Sequence, residues 1–119
     1  MTILHLALES DWVAALAAGE YRVSTRGLTV DEVGFIHCST PAQVAGAAAL
    51  FFADVVEPLR LLHMDADAIL KSGTEVAFED AGNGELFPHI FGPIDPEWVS
   101  EATAARMMDG LLIVGEVAC

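Results

Sequence analysis

Alternating apolar and polar positions predict most of the strands of this chain. Residues 2–8 (TILHLAL), 34–39 (GFIHCS) and 75–80 (EVAFED) each set one or two polar side chains among apolar neighbours, which is typical of the two-residue repeat of a β-strand. The segment 86–94 (LFPHIFGPI) has the same composition, but its prolines indicate an edge or bent strand. Shorter or more uniformly apolar runs predict two further strands, at 21–25 (YRVST) and 59–66 (LRLLHMDA).

Two segments carry the signals of α-helices. Residues 11–19 (DWVAALAAG) follow Ser10, a candidate N-cap, and end at a glycine. Thr40 and Gln43 form a T-x-x-Q capping box with proline at the first helical position, which predicts a second helix through residues 42–54 (AQVAGAAALFFAD).

The remaining segments favour loops and turns. Residues 26–34 (RGLTVDEVG) are polar and mixed, and 81–85 (AGNGE) have turn chemistry. Asp65 and Asp67 are placed to cap the turn at DADAIL, and 95–98 (DPEW) indicates a turn or one helical turn.

The segment 98–106 is ambiguous between helix and strand. Its propensity favours a helix, but Asp109 and Gly110 before LLIVGEV form a hairpin signal, so we expect a strand. The predicted fold class is therefore α+β, a compact single domain over residues 1–119 with two helices packed on curved, mainly antiparallel strands.

The strand pattern places several polar side chains on apolar faces. His5 shares a face with Ile3 and Ala7, because alternate residues of a strand lie on the same side. By the same argument His37 lies with Phe35 and Ser39, Glu79 with Ala77, and His89 with Phe87 and Phe91. If these faces converge, His5, His37, Glu79 and His89 line a mostly apolar cleft, which is the usual composition of a small-molecule pocket.

Each of these residues also has a purely structural explanation. His5 can bond a backbone carbonyl, His37 can be a partnered core residue, His89 can brace a bent strand, and Glu79 can face solvent. Cys38 lies on the face opposite His37, so the two do not form a nucleophile and base pair. No H-x-H or H-x-x-x-H spacing supports a metal site, and we expect none.

Composition narrows the class of protein. A chain of 119 residues with 54% hydrophobic residues can form one core. It has no uncharged apolar run of about 18 residues and no basic residue before Glu9, so we expect neither a transmembrane helix nor a secretory signal. Cys38 and Cys119 form no disulfide framework, and we expect a cytoplasmic protein.

The net charge of −13 argues against nucleic acids and anionic membranes as partners. Nonspecific nucleic-acid binding needs cations for the phosphates, and anionic membrane surfaces repel an acidic protein. One small anionic ligand stays compatible with this charge, because a helix N-terminus supplies a local positive field.

The order of HLALESDW, AGEYRVST, GFIHCST, LLHMDAD and FPHIFGP resembles a bacterial family, domain of unknown function 952, over nearly the whole chain. GFIHCS and FPHIFGP are the most specific parts. That family in turn is similar to the ADP-ribosyltransferase fold, which includes the tRNA 2′-phosphotransferases. The resemblance thus implies an ADP-ribosyltransferase-like fold.

The resemblance also implies NAD as a candidate cofactor, held in a cleft between two sheets. His5 would bind a ribose or amide group, and Ser39 or Thr40 would hold a ribose or phosphate near the helix N-terminus. Glu79 would bond a ribose hydroxyl and stabilise the positive charge that develops as nicotinamide leaves, although His89 is an alternative for this role.

The candidate catalytic residues are Glu79, His37 and His89, and the candidate ligand-binding residues are His5, Tyr21, Ser39, Thr40 and Gln43. The alternatives are a non-catalytic binding protein and a protein-interaction module on an inherited fold.

Overall fold

Nine strands and four α-helices account for the regular structure of residues 1–80, 82 and 84–115, which the computed structural model describes. The strands are β1 (Thr2–Leu8), β2 (Val23–Thr25), β3 (Leu28–Thr29), β4 (Ile36–His37), β5 (Leu59–Asp65), β6 (Val76–Asp80), β7 (Leu86–Ile90), β8 (Val99–Met108) and β9 (Leu111–Val114). The helices are α1 (Glu9–Ala18), α2 (Val30–Val33), α3 (Val44–Phe51) and α4 (Ala66–Lys71), with a 3₁₀ turn at Pro96–Trp98. The α+β class is confirmed.

The strands form three antiparallel sheets. The largest has the order β1-β5-β8-β9, a second has β4-β7-β6, and β2 and β3 form a hairpin. The 98–106 strand is confirmed as part of β8, which joins β9 through a turn at Asp109 and Gly110. Both turn residues have positive φ, 53° and 78°, as a type I′ hairpin turn requires.

The prediction of two helices was wrong. The segment expected to be a loop at 26–34 contains β3 and α2, and α2 begins with a capping box in which Thr29 and Glu32 bond each other's backbone N–H groups. The turn expected at DADAIL is α4, whose N-cap Asp65 accepts from Asp67 N at 3.1 Å. Four-residue and six-residue helices are too short to show an apolar helical repeat in the sequence.

The two predicted helices begin at other residues than expected. Helix α1 begins at Glu9 with Leu8 at the N-cap position and no side-chain cap, although it ends at Gly19 as predicted. Helix α3 begins at Val44 after a turn. Only half of its capping box forms. Gln43 Oε1 accepts from Thr40 N at 3.0 Å, but Gln43 N donates to the Thr40 carbonyl rather than to the Thr40 hydroxyl, and no side chain caps the described helix.

Strand β7 is the central strand of its sheet, so the edge alternative of the predicted edge or bent strand was wrong. Pro88 pairs with Phe78 of β6, and its carbonyl accepts from Cys38 N at 3.0 Å on the other side. In an antiparallel sheet the N–H and C=O groups of one residue point to the same neighbouring strand. The missing N–H of Pro88 would therefore point toward Cys38, which follows the two-residue strand β4, and not toward β6. The proline therefore leaves the β6–β7 ladder intact.

Strand β1 separates two clusters of buried residues. Ile3 and Ala7 pack with α1, α4 and β7 on one side, and Leu4 and Leu6 pack with α3 on the other. In the described residues, no helix has the length and apolar composition to cross a bilayer. The loop predicted at 81–85 is described only at residues 82, 84 and 85, and Cys119 lies outside the described residues.

Candidate functional site

A cavity of about 390 Å³ lies between the β2–β3 hairpin, the end of α3 and one face of the β4-β7-β6 sheet. We call it the histidine cavity and define it by Ser24, Phe35, His37, Phe51, Asp80 and His89. A much smaller cavity, of about 30 Å³, lies next to it and is lined in part by His5, Ser24, His37 and Ser39.

His37 and His89 are direct partners across β4 and β7. Their ring centroids are 5.4 Å apart. The Phe35 ring stacks on His89 at 4.0 Å, and the Phe87 ring lies 5.1 Å from His37. The alternation that the sequence predicted for these segments therefore places both imidazoles and both phenyl rings on one side of the sheet.

Glu79 is bonded to His89. Glu79 pairs with Phe87 on the neighbouring strand, so it is the diagonal neighbour of His89, and its Oε1 lies 2.8 Å from His89 Nδ1. The Glu79 side chain is 46% exposed, and its Oε1 accepts a hydrogen bond from the Nδ1–H group of His89. The neutral His89 ring then has its lone pair on Nε2.

Three residues that line this cavity each have a buried polar atom without a hydrogen-bond partner among the described residues: His37 Nε2, His89 Nε2 and Ser24 Oγ. The fourth such atom of the described chain is Arg106 Nε, on β8. Leaving a buried polar atom unpaired costs about 1–3 kcal/mol, so such atoms are uncommon and call for an explanation. Their concentration at one cavity makes it the strongest candidate site in the described chain.

Burial and, to a smaller extent, the neighbouring His89 lower the pKa of His37 to about 4. His37 is therefore neutral at physiological pH. Cys38 lies on the opposite face in the core, where burial raises the pKa of its thiol, so the thiol stays protonated and unreactive. The part of the chain that the structure describes holds no cluster of three His, Cys, Asp or Glu side chains placed to bind a metal.

His5 and Tyr21 lie behind β4 rather than in the histidine cavity. His5 Nδ1 donates to the His37 carbonyl at 2.7 Å, and the Tyr21 hydroxyl donates to His5 Nε2 at 2.8 Å. Burial lowers the pKa of His5 to about 4 and raises the pKa of Tyr21. Both groups are therefore neutral, and they hold the backbone of His37 in place.

Ser39, Thr40 and Gln43 lie outside the lining of the histidine cavity. Ser39 is buried, and its backbone exchanges two hydrogen bonds with Leu4, at 2.7 and 2.8 Å. Gln43 bonds Thr40 N through its oxygen and donates through Nε2 to the Leu86 carbonyl at 2.7 Å. This side chain ties the start of α3 to β7.

Sequence reasoning did not find Ser24, Phe51 or Asp80. Ser24 lies in a strand that the pattern predicted, but no local signal indicated that the β2–β3 hairpin covers β4. Phe51 belongs to a helix that is apolar all round, so its pattern does not indicate which residues face the sheet.

Residues 6–102 match the family described as "Protein of unknown function (DUF952)". The chain belongs to the DUF952 family. It is also similar to protein CC0527 from Caulobacter crescentus, whose crystal structure superposes with a TM-score of 0.80 at 25% identity over 95% of this chain and 94% of that chain. A double mutant of CC0527 gives the same values. No curated protein matches the sequence.

Proposed function

We propose that this DUF952 protein binds a small molecule in the histidine cavity and that the Glu79–His89 pair exchanges a proton with it. The observation that carries the proposal is the group of three unpaired buried polar atoms, His37 Nε2, His89 Nε2 and Ser24 Oγ, at one cavity. A ligand with matching donors and acceptors would remove their desolvation cost. The volume of about 390 Å³ and the mixture of aromatic and polar lining residues are typical of small-molecule sites.

The chemistry follows from the hydrogen bond between Glu79 and His89. With Nδ1–H donated to the carboxylate, Nε2 is the basic atom and takes a proton from an N–H or O–H group of the ligand. The carboxylate stabilises the imidazolium that forms. His37 stays neutral and contributes a hydrogen bond rather than a charge.

The resemblance to ADP-ribosyltransferases supports NAD as a candidate ligand and nicotinamide release as a candidate reaction, by analogy of fold. In this form of the proposal the catalytic residues are Glu79, His37 and His89. The other candidate residues support the strands around them: His5, Tyr21, Ser39, Thr40 and Gln43. Saturable binding without turnover would instead favour a non-catalytic binding protein.

The direct test is a thermal-shift titration with NAD, ADP-ribose and nicotinamide, together with an assay for released nicotinamide. A ligand at about 100 times its Kd stabilises the native state by about 2.7 kcal/mol, which raises the Tm of a domain of this size by several degrees. His89→Gln should abolish the shift. His63→Gln is the matched control, because His63 bonds Thr103 on the large sheet and does not line the cavity.

Ser24→Ala separates a binding role from a structural one. Removing an unpaired buried hydroxyl should leave the free protein as stable or more stable, by up to about 1 kcal/mol, while ligand affinity falls. Ser72→Ala is the control, because the Ser72 hydroxyl donates to the Ile69 carbonyl at 2.6 Å and its loss should destabilise the protein. If urea melts show that Ser24→Ala destabilises as much as Ser72→Ala, Ser24 is a structural residue.

A further inference from the structure

We infer that the ligand enters the histidine cavity with an uncharged amide or lactam group, which donates a hydrogen bond to His89 and accepts one from His37 or Ser24. This inference rests on the proposed function, that the cavity binds a small molecule, and it adds the chemical class of the group that is bound. The donors and acceptors of the three unpaired buried atoms lead to this class.

His89 offers an acceptor whose position in the ring is fixed. Its Nδ1–H group donates to Glu79 Oε1 at 2.8 Å, so the lone pair of the neutral ring is on Nε2. This Nε2 atom is buried and has no hydrogen-bond partner among the described residues. A ligand atom that carries only lone pairs would leave Nε2 unpaired, which is costly in a buried site. The ligand therefore needs an N–H or O–H group at this position.

His37 and Ser24 offer donors. The pKa of His37 is lowered to about 4, mainly by burial, so the neutral ring carries one N–H group and one lone pair. The Ser24 hydroxyl carries one O–H group. In the described chain neither His37 Nε2 nor Ser24 Oγ has a hydrogen-bond partner. A ligand with donors alone would leave these N–H and O–H groups without an acceptor, so the complementary group also accepts.

The spacing of the polar residues favours an amide over a hydroxyl group. The ring centroids of His37 and His89 are 5.4 Å apart on two strands, and Ser24 lies on a third strand, β2. The N and O atoms of an amide lie about 2.3 Å apart, and each hydrogen bond adds about 2.9 Å. One amide can therefore bond polar atoms on two strands, whereas a hydroxyl group has its donor and its acceptor on a single atom.

Apolar side chains border the rest of the cavity. Leu28, Val33, Phe35 and Phe51 belong to its lining. Leu28 and Phe51 are 43% and 45% exposed, and a ligand ring that covers them removes apolar surface from water. A lactam fused to an aromatic ring combines such a surface with adjacent N–H and C=O groups.

Three bicyclic probes of similar size test the inference. 2-Quinolinone has both an N–H and a C=O group, coumarin has a ring oxygen in place of the N–H, and indole has an N–H without a C=O. In NMR titrations of the full chain at pH 8.0, we expect 2-quinolinone to bind at least about tenfold more tightly than coumarin, because a buried polar group that loses its partner discriminates strongly between such analogues. Indole should bind several-fold more weakly than 2-quinolinone.

Glu79→Ala should lower the ratio of 2-quinolinone affinity to coumarin affinity several-fold, because the ring proton of His89 is then free to move to Nε2. Glu75→Ala is the matched control: Glu75 is exposed, its loss changes the net charge equally, and it does not line the cavity. Two-bond ¹H–¹⁵N spectra of the histidine rings give a second readout. They should show the His89 proton on Nδ1 in the natural protein and distributed over both nitrogens in Glu79→Ala.

Four results would overturn the amide class while leaving the pocket in place. These are coumarin or indole binding as tightly as 2-quinolinone, equal effects of the two glutamate variants, and a proton on His89 Nε2 in the neutral ring of the natural protein. If none of the probes shifts the signals of the cavity residues, both the inference and the small-molecule pocket are rejected.

Discussion

His5 has its tautomer fixed by its two partners. A carbonyl oxygen only accepts, so the 2.7 Å contact with the His37 carbonyl requires the proton on Nδ1. Nε2 is then an acceptor, and the Tyr21 hydroxyl must donate to it. Because both groups are buried, this pair sets the position of the His37 backbone and hence of its ring.

Substitution of His5 by the two amides tests this positioning role. The amide nitrogen of asparagine reaches the place of Nδ1 and that of glutamine the place of Nε2. His5→Asn should therefore keep the bond to the His37 carbonyl and retain nicotinamide affinity within about threefold. His5→Gln should weaken that affinity about tenfold relative to the natural protein, which corresponds to about 1.4 kcal/mol. The measurement is the affinity in both variants, with the backbone amide shift of His37 as a second readout. Equal losses of affinity in the two variants would contradict the role.

The surroundings of the Ser24 hydroxyl cannot be predicted from the local sequence pattern. The alternation in YRVST predicts its strand and places Ser24 opposite Val23 and Thr25. Whether its hydroxyl faces solvent, a partner or a cavity depends on which part of the chain packs over β2. The sequence contains no signal for that contact, because the residues that meet Ser24 are distant in the chain.

At the scale of elements, two segments of the chain have the same capping pattern but different structures. Thr29 with Glu32 forms the complete box of α2, whereas Thr40 with Gln43 forms only the half in which the glutamine accepts. In the second segment Gln43 N donates to the Thr40 carbonyl at 3.0 Å instead of the Thr40 hydroxyl. The Gln43 side chain also donates to Leu86 on β7, a contact that a sequence pattern of four residues does not include.

This difference predicts unequal effects of matched substitutions. Thr29→Ala should cost about 1 kcal/mol by removing a true cap. Thr40→Ala should cost less than about 0.5 kcal/mol, because its side chain does not cap α3. Urea unfolding of the two variants measures both values. A cost for Thr40→Ala equal to that for Thr29→Ala would show that the Thr40 hydroxyl does cap α3.

At the scale of the whole molecule, burial of neutral histidines couples stability to pH. The pKa values of His5 and His37 are both lowered to about 4 in the folded protein, from an ordinary value near 6.5. Between these values the unfolded chain binds protons that the native state does not bind. The free energy of unfolding therefore falls as pH decreases from about 6.5 to about 4.

His5→Asn isolates the share of His5 in this pH dependence. For the fully buried His5 the shift corresponds to about 3 kcal/mol over the full pH window. Asparagine does not titrate, so the stability difference between the natural protein and the variant should be constant above pH 7 and shrink toward pH 4. Urea melts at intervals of half a pH unit measure it, with His63→Gln as the control. A difference that does not change with pH would show that burial does not lower the pKa of His5.

The alternation of residues along the chain is sufficient to predict the faces of the strands and the polar groups on them. The two-residue repeat placed His37 with Phe35, His89 with Phe87, and Glu79 on the side of its strand that faces His89, and the structure brings these three polar residues together. The three-dimensional contacts establish that β7 is a central strand, that the β2–β3 hairpin and Phe51 border the cavity, and that His5 lies behind His37. These features could not be predicted because side-chain alternation is a property of a few neighbouring residues. Which strand faces contact one another depends on pairing and packing between segments that are far apart in the chain.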